Sequence, residues 1–209
     1  MLAFSRLTSI LLFVLSLSFL ACAAPTPRSN ELATCDKGAV DAGLLVTACV
    51  DLQAKVEAHV NIIAKLDDLV QVKAAVDVLV QDLKVYADLV LNLKGVKVDA
   101  KVQAEIAAHL LVIVNAIVKI CASIIAKFGL SVCLELIATL QVALKLVIDN
   151  LEICIAGLID VFVKLITDVQ LKAIVNVHLD VIAQLCVDIR VKLGLGINLN
   201  VLGLIGLSL

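Results

Sequence analysis

Cysteine is the side chain in this sequence with the widest chemical range, because a thiol can pair, ligate a metal or attack a substrate. The seven lie at Cys22, Cys35, Cys49, Cys121, Cys133, Cys154 and Cys186. None is spaced as C-x2-C, so a structural zinc site is not encoded. Histidine occurs only at His59, His109 and His178, with no HExxH or H-x-E motif and no cysteine close by in sequence. All three are expected to be surface or hydrogen-bonded helix histidines. Asp67-Asp68 is the one adjacent carboxylate pair. It is expected to open a helix, where the dipole favours negative charge, rather than to move protons. Gly194-Leu195-Gly196 and the Gly203 to Gly206 segment lack the strand–loop–helix setting of a phosphate loop. No catalytic, cofactor-binding or metal-ligating set is expected, and the chain is expected not to be an enzyme.

The N-terminus bears on the cysteines. Arg6 precedes a charge-free run from Leu7 to Pro27 that contains the apolar core Ile10 to Leu15. Ala21-Cys22-Ala23 then supplies a small-x-small cleavage signal. Residues 1–23 therefore read as a secretory signal peptide, with the mature chain starting at residue 24. Removing them leaves six cysteines: Cys35, Cys49, Cys121, Cys133, Cys154 and Cys186. An even set in an exported chain suggests three disulfides of open connectivity. The other reading is that some are buried apolar thiols. Cys35 and Cys49 form the most plausible local pair only if Gly38 to Gly43 bends, since a straight helix holds them ~21 Å apart.

The elements that must position these residues are helical. Leu52, Val56, Val60 and Ile63 recur at helical spacing, as do Leu69, Val72, Val76, Leu79, Leu83, Tyr86, Val90 and Leu93. Gly95 with Lys94 marks a helix end. A next helix, starting near Val98 or Asp99, runs through Ile106, Ile113, Ile117, Ile120 and Ile124 to a break at Phe128-Gly129. Ser131 is the expected N-cap of a helix through Leu136, Leu140, Leu144 and Val147, and Asp149-Asn150 is the next expected cap. A further break is expected near Thr167-Asp168. Asp51–Lys55, Asp160–Lys164, Asp168–Lys172 and Asp188–Lys192 stand in the supportive i,i+4 order. Residues 189–201 alternate apolar and polar, as a strand or an extended glycine-rich tail does. The fold class expected is all-α: a disulfide-stapled helical bundle with a glycine-rich C-terminal tail.

Composition divides the mature chain. Residues 24–105 hold twelve acidic and nine basic side chains; residues 106–193, followed by the apolar tail 194–209, hold seven of each. The first part is a charged amphipathic half and the second a hydrophobic half. A formal charge of −2 without basic clusters argues against nucleic-acid binding. In 62% hydrophobic residues there is no basis for disorder. Within residues 106–193 the longest charge-free run, Ile106 to Val118, is 13 residues, and the C-terminal run Leu193 to Leu209 is 17 residues weakened by four Gly and two Asn; both are shorter than a span needs. The reading is an apolar water-soluble bundle whose second half presents an exposed apolar patch.

A signal peptide, a charged first half, a hydrophobic second half and few marks of catalysis together resemble the small secreted cell-surface proteins of mushroom-forming fungi. Hyphal-aggregation proteins that accompany hydrophobin are of this kind. The resemblance implies a cell-wall or extracellular-matrix protein acting in adhesion, with no catalytic residues to carry over. The function expected is structural: self-association, or coating of a hydrophobic surface, cell-wall polymer or lipid. The alternative is an extracellular helical carrier of a lipid or sterol.

Overall fold

The computed structural model describes residues 37–93 and 95–196. Among them are seven α-helices and no strand: α1 Lys37–Ile63, α2 Leu69–Asn92, α3 Ala100–Phe128, α4 Leu130–Cys154, α5 Leu158–Leu165, α6 Asp168–Asn176 and α7 Asp180–Lys192. The all-α expectation holds. Residues 1–23, which the sequence reading expects to be a signal peptide, together with Cys35, Lys94 and tail residues 197–209, lie outside the described residues.

The sequence sets most helix boundaries through local chemistry. Asp68 caps α2, its carboxylate accepting from the Val70 N–H at 3.1 Å. Asp99 caps α3 by accepting from Val102 at 2.8 Å. Thr167 and Gln170 form a capping box at the start of α6. Ser131, in contrast, lies inside α4. The joint before it is Gly129 alone, at φ +83°, a conformation that only glycine adopts readily. Nor does Asp149-Asn150 interrupt α4, which continues to Cys154. Asn150 is buried and donates instead to the Ala87 carbonyl at 3.0 Å. The chain breaks later, at Gly157, where Glu152 accepts from the backbone N–H groups of Gly157 and Ile159, each at 2.8 Å. Residues 189–192 are helical, so the strand reading does not apply there.

The helices stack in three layers. α1 and α2 form the first, antiparallel, with Lys55 meeting Asp82 at 3.1 Å. α3 and α4 form the second. α1 lies along α3 in the same direction, with Gln53 meeting His109 near one end and Ala64 meeting Lys127 at the other. α2 lies along α4 likewise, through Ala87–Asn150 and Leu93–Cys154. The short helices α5, α6 and α7 cover the far side of α3 and α4.

This arrangement accounts for the hydropathy of the second half. α3 and α4 are long and apolar enough to cross a membrane by composition alone. Here each is flanked by helices on two sides, and Ile106, Leu110, Ile113, Ile117, Leu140 and Leu144 are fully buried. The compositional boundary at residue 105 falls inside α3, and helices from both halves share one core.

The first two layers also repeat. Buried Leu45, Leu52, Val56 and Ile63 of α1 correspond, 61 residues on, to buried Ile106, Ile113, Ile117 and Ile124 of α3. Buried Val76, Leu79, Leu83 and Val90 of α2 correspond in the same register to Ile137, Leu140, Leu144 and Leu151 of α4.

Lys127, in the last turn of α3, ties the layers together. Its ammonium donates to the Ala64 carbonyl at 2.8 Å, to the Leu66 carbonyl at 2.7 Å and to the Asp67 carboxylate at 3.0 Å. The carbonyls belong to the end of α1 and its turn, where a cation is favoured. Lys127→Met is expected to lower the unfolding free energy by about 1–2 kcal/mol. Asp67→Asn, removing a highly exposed partner, is expected to change it by less than about 0.5 kcal/mol. Urea unfolding followed by circular dichroism checks both.

Candidate functional site

The five described candidate cysteines are free thiols, and all are buried: Cys49, Cys121, Cys133, Cys154 and Cys186. Three bridges among the six candidates would require at least two within this set, and none is shown among the described residues. The local Cys35–Cys49 pair loses its premise as well, because α1 runs unbroken from Lys37 through Gly38 and Gly43.

The physical reason lies in the repeat. Cys49 occupies the position of Leu110 in the other layer, Cys121 that of Val60, Cys133 that of Val72 and Cys154 that of Leu93. Each thiol stands where the sister layer places an aliphatic side chain, so these cysteines pack as small hydrophobes. Cys133 donates weakly to the Ile124 carbonyl at 3.4 Å and Cys154 to the Leu93 carbonyl at 3.1 Å.

Burial pushes Cys49 up to about 11, partly opposed by the neighbouring Tyr86 hydroxyl. Cys121 and Cys186 rise to about 12, also through burial, with Arg190 opposing the shift at Cys186. A thiol held this far above neutrality is a poor nucleophile. Tyr86 is pushed well above the ordinary phenol value by burial and by Cys49 and Cys154.

The histidines stay apart. His59 Nε2 lies 3.3 Å from Asp82, which also accepts from Lys55. His109 Nδ1 lies 2.6 Å from the Gln53 side-chain oxygen. His178 sits exposed in the α6–α7 turn at φ 60°. Among the described residues no three His, Cys, Asp or Glu side chains converge as a metal site. Of the expected i,i+4 pairs, two are redirected across the fold: Lys55 pairs with Asp82, and Asp168 with the buried Arg190. Arg190 also donates to the Ile166 carbonyl at 2.6 Å, fastening the α5–α6 turn onto α7.

What the surface offers is aliphatic. Large apolar side chains are exposed in both halves: Leu44, Ile62, Val78 and Val85 in the first two helices, Val142, Leu146 and Ile153 along α4, and Val169 at 79% in α6. The exposed apolar surface expected of the second half is therefore present, and the first layer shares it. Among the described residues, grooves open to solvent at several places. The one between α1 and α2, about 400 Å³, is lined by Ala48, Asp51, Leu52, Ala54, Lys55, Asp82, Val85, Tyr86 and Leu89. A second lies between α1 and α3, and a third between Lys145 of α4 and the face of α7.

No family model, curated protein or solved structure matches this chain. The spacing of Leu44, Ala48, Asp51, Lys55, Ala58 and Ile62 on α1 is a surface feature that sequence reading passed over, because two polar residues at its centre hide the apolar period.

Two measurements follow from the thiols. Native protein at pH 8 is expected to resist maleimide, and urea alone, without reductant, is expected to expose at least five reactive thiols. Stability also depends on pH with a definite sign. The thiols titrate near 11 to 12 when folded against 9.0 as the reference value. The unfolded chain thus loses its protons first. Stability is expected to be insensitive to these groups below pH 9 and to fall as pH rises from 9 toward 12. Thermal melts across that range test the slope, which Cys121→Val should reduce.

Proposed function

We propose that this protein is a secreted, non-enzymatic structural protein of the cell wall or extracellular matrix. It acts by self-association and by coating hydrophobic surfaces, in adhesion of the hyphal-aggregation kind. The observation that carries this reading is the set of large aliphatic side chains exposed to solvent on α1, α2 and α4. Such surface is stabilised when it leaves water, at roughly 25 cal/mol per Å². Export rests on the signal segment 1–23.

The lipid-carrier reading draws support from the α1–α2 groove, whose walls include Ala48, Leu52, Val85 and Leu89. That groove is open along the surface, and a bound acyl chain would keep one side in water. A carrier ordinarily encloses most of its ligand, so this reading ranks second.

The test uses the mature secreted chain. It is expected to adsorb to polystyrene and to an air–water interface with its helicity retained, and to sediment as more than a monomer at raised concentration. A monomer at all concentrations without adsorption contradicts the reading. Stoichiometric lipid in an organic extract of the purified protein would favour the carrier.

A further inference from the structure

One stripe on α1 is built to meet itself. Leu44, Ala48, Asp51, Lys55, Ala58 and Ile62 follow one another at intervals of four, three, four, three and four residues, the spacing of a helix–helix seam. The stripe is a second seam, distinct from the buried one through Leu45, Cys49, Leu52, Val56 and Ile63. Leu44 is 54% exposed and Ile62 49%. Asp51 and Ala58 are exposed and Ala48 is half-buried at the edge of the α1–α2 groove.

Its order reads the same from either end. About a point at Gln53, Leu44 exchanges with Ile62, Ala48 with Ala58, and Asp51 with Lys55. Large aliphatics stand at both ends, small residues inside them, and opposite charges at the centre. Two copies laid antiparallel would set leucine against isoleucine and alanine against alanine. Each aspartate would face the other copy's lysine. Parallel copies would set aspartate on aspartate and lysine on lysine.

The internal repeat bears on what covers the stripe. The corresponding positions of α3 include His109, Val112, Ala116 and Lys119. This is the side by which α3 receives α1: His109 meets Gln53, and the other three line a groove with Glu57, Val60 and Asn61 of α1. The side of α3 that takes a helix of this chain is thus, in α1, the self-complementary stripe.

We propose that a second copy of this chain docks on α1 through this stripe, in an antiparallel two-fold pairing centred near Gln53. The proposal deepens the self-association reading by naming its surface. The charges select the antiparallel register. Asp51 has no ion-pair partner among the described residues, and Lys55, held by Asp82 at 3.1 Å but with its side chain 57% exposed, would share its ammonium between Asp82 and the other copy's Asp51. A two-fold pairing of one patch with itself closes as a dimer. The exposed Val85 and Leu89 border the same groove and extend the apolar contact.

Charge reversal in the full mature chain tests this directly. Asp51→Lys makes the centre of the stripe all positive, and Lys55→Glu makes it all negative. Each variant alone is expected to weaken dimerisation about tenfold or more in sedimentation equilibrium, through replacement of two attractive pairs by repulsive ones. Mixed in equal amounts, they are expected to recover association as a heterodimer, which lost stability in either chain would not produce. Ile62→Lys is expected to weaken self-association with an unchanged far-ultraviolet spectrum. Dimerisation untouched by either reversal, or no recovery on mixing, overturns the proposed surface and leaves self-association standing. A wild-type chain that stays monomeric yet adsorbs to hydrophobic surfaces overturns the proposal alone. One that stays monomeric and does not adsorb overturns both.

Discussion

The central layer must bury aliphatic surface on two sides, and the rest of the architecture answers to that requirement. α3 and α4 carry isoleucine, leucine and valine around so much of their circumference that one neighbouring layer could not cover them. α1 and α2 cover one side and α5, α6 and α7 the other. Aromatic side chains contribute little: Phe162 and Tyr86 are buried, and the core is otherwise branched aliphatics, alanine and thiols. Such side chains have few rotamers and pack without polar partners. This suits a core specified by register rather than by hydrogen-bonded networks.

Polar side chains that bond from one helix to another are few, only Asn150 and Arg190 among them buried, and they sit where the layers could slip or the chain turns. Asn150 bonds across from α4 to the backbone of α2. Lys127 closes the carbonyl end of α1 from α3, and Glu152 supplies acceptors to the N-terminus of α5. Arg190 holds the turn before α6, with its Nε left without a partner. An aliphatic interface is non-directional, so these directional bonds help to select one alignment among several of similar apolar burial.

Much of the helix content was legible because period and caps are local properties. The stripes from Leu52 to Ile63 and from Leu69 to Leu93 map onto α1 and α2, and Asp68, Asp99 and Thr167 stand at helix starts. Where a capping residue type misled, a tertiary requirement had overridden it. Asn150 is needed by α2, and Gly129 turns the chain two residues before Ser131 would come into use. The cysteines misled because their parity suggests bridges, whereas their chemistry here is that of the aliphatic residues in the sister layer. The repeat itself escaped notice because it conserves burial and not residue identity: Leu52 matches Ile113, and Val72 matches Cys133. Only with burial known does the register align.

The contrast between a charged half and a greasy half then takes on a different physical meaning. It is a difference between an outer layer and a middle one. Charges concentrate in α1 and α2, which pack against the rest of the molecule on one side, and they thin out in α3 and α4, whose solvent-facing positions include Val112, Val132, Leu134, Val142, Leu146 and Ile153. An outer layer of an ordinary soluble protein would carry charge throughout. Here Val78, Val85 and Leu89 interrupt the charged surface at helical spacing along α2, and Leu44 and Ile62 flank Asp51 and Lys55 on α1. Isolated exposed aliphatics are a normal feature of protein surfaces, but rows along adjoining helices are the geometry by which helices recognise one another. The surface of the first layer thus repeats, in diluted form, the pattern by which it is held to the second.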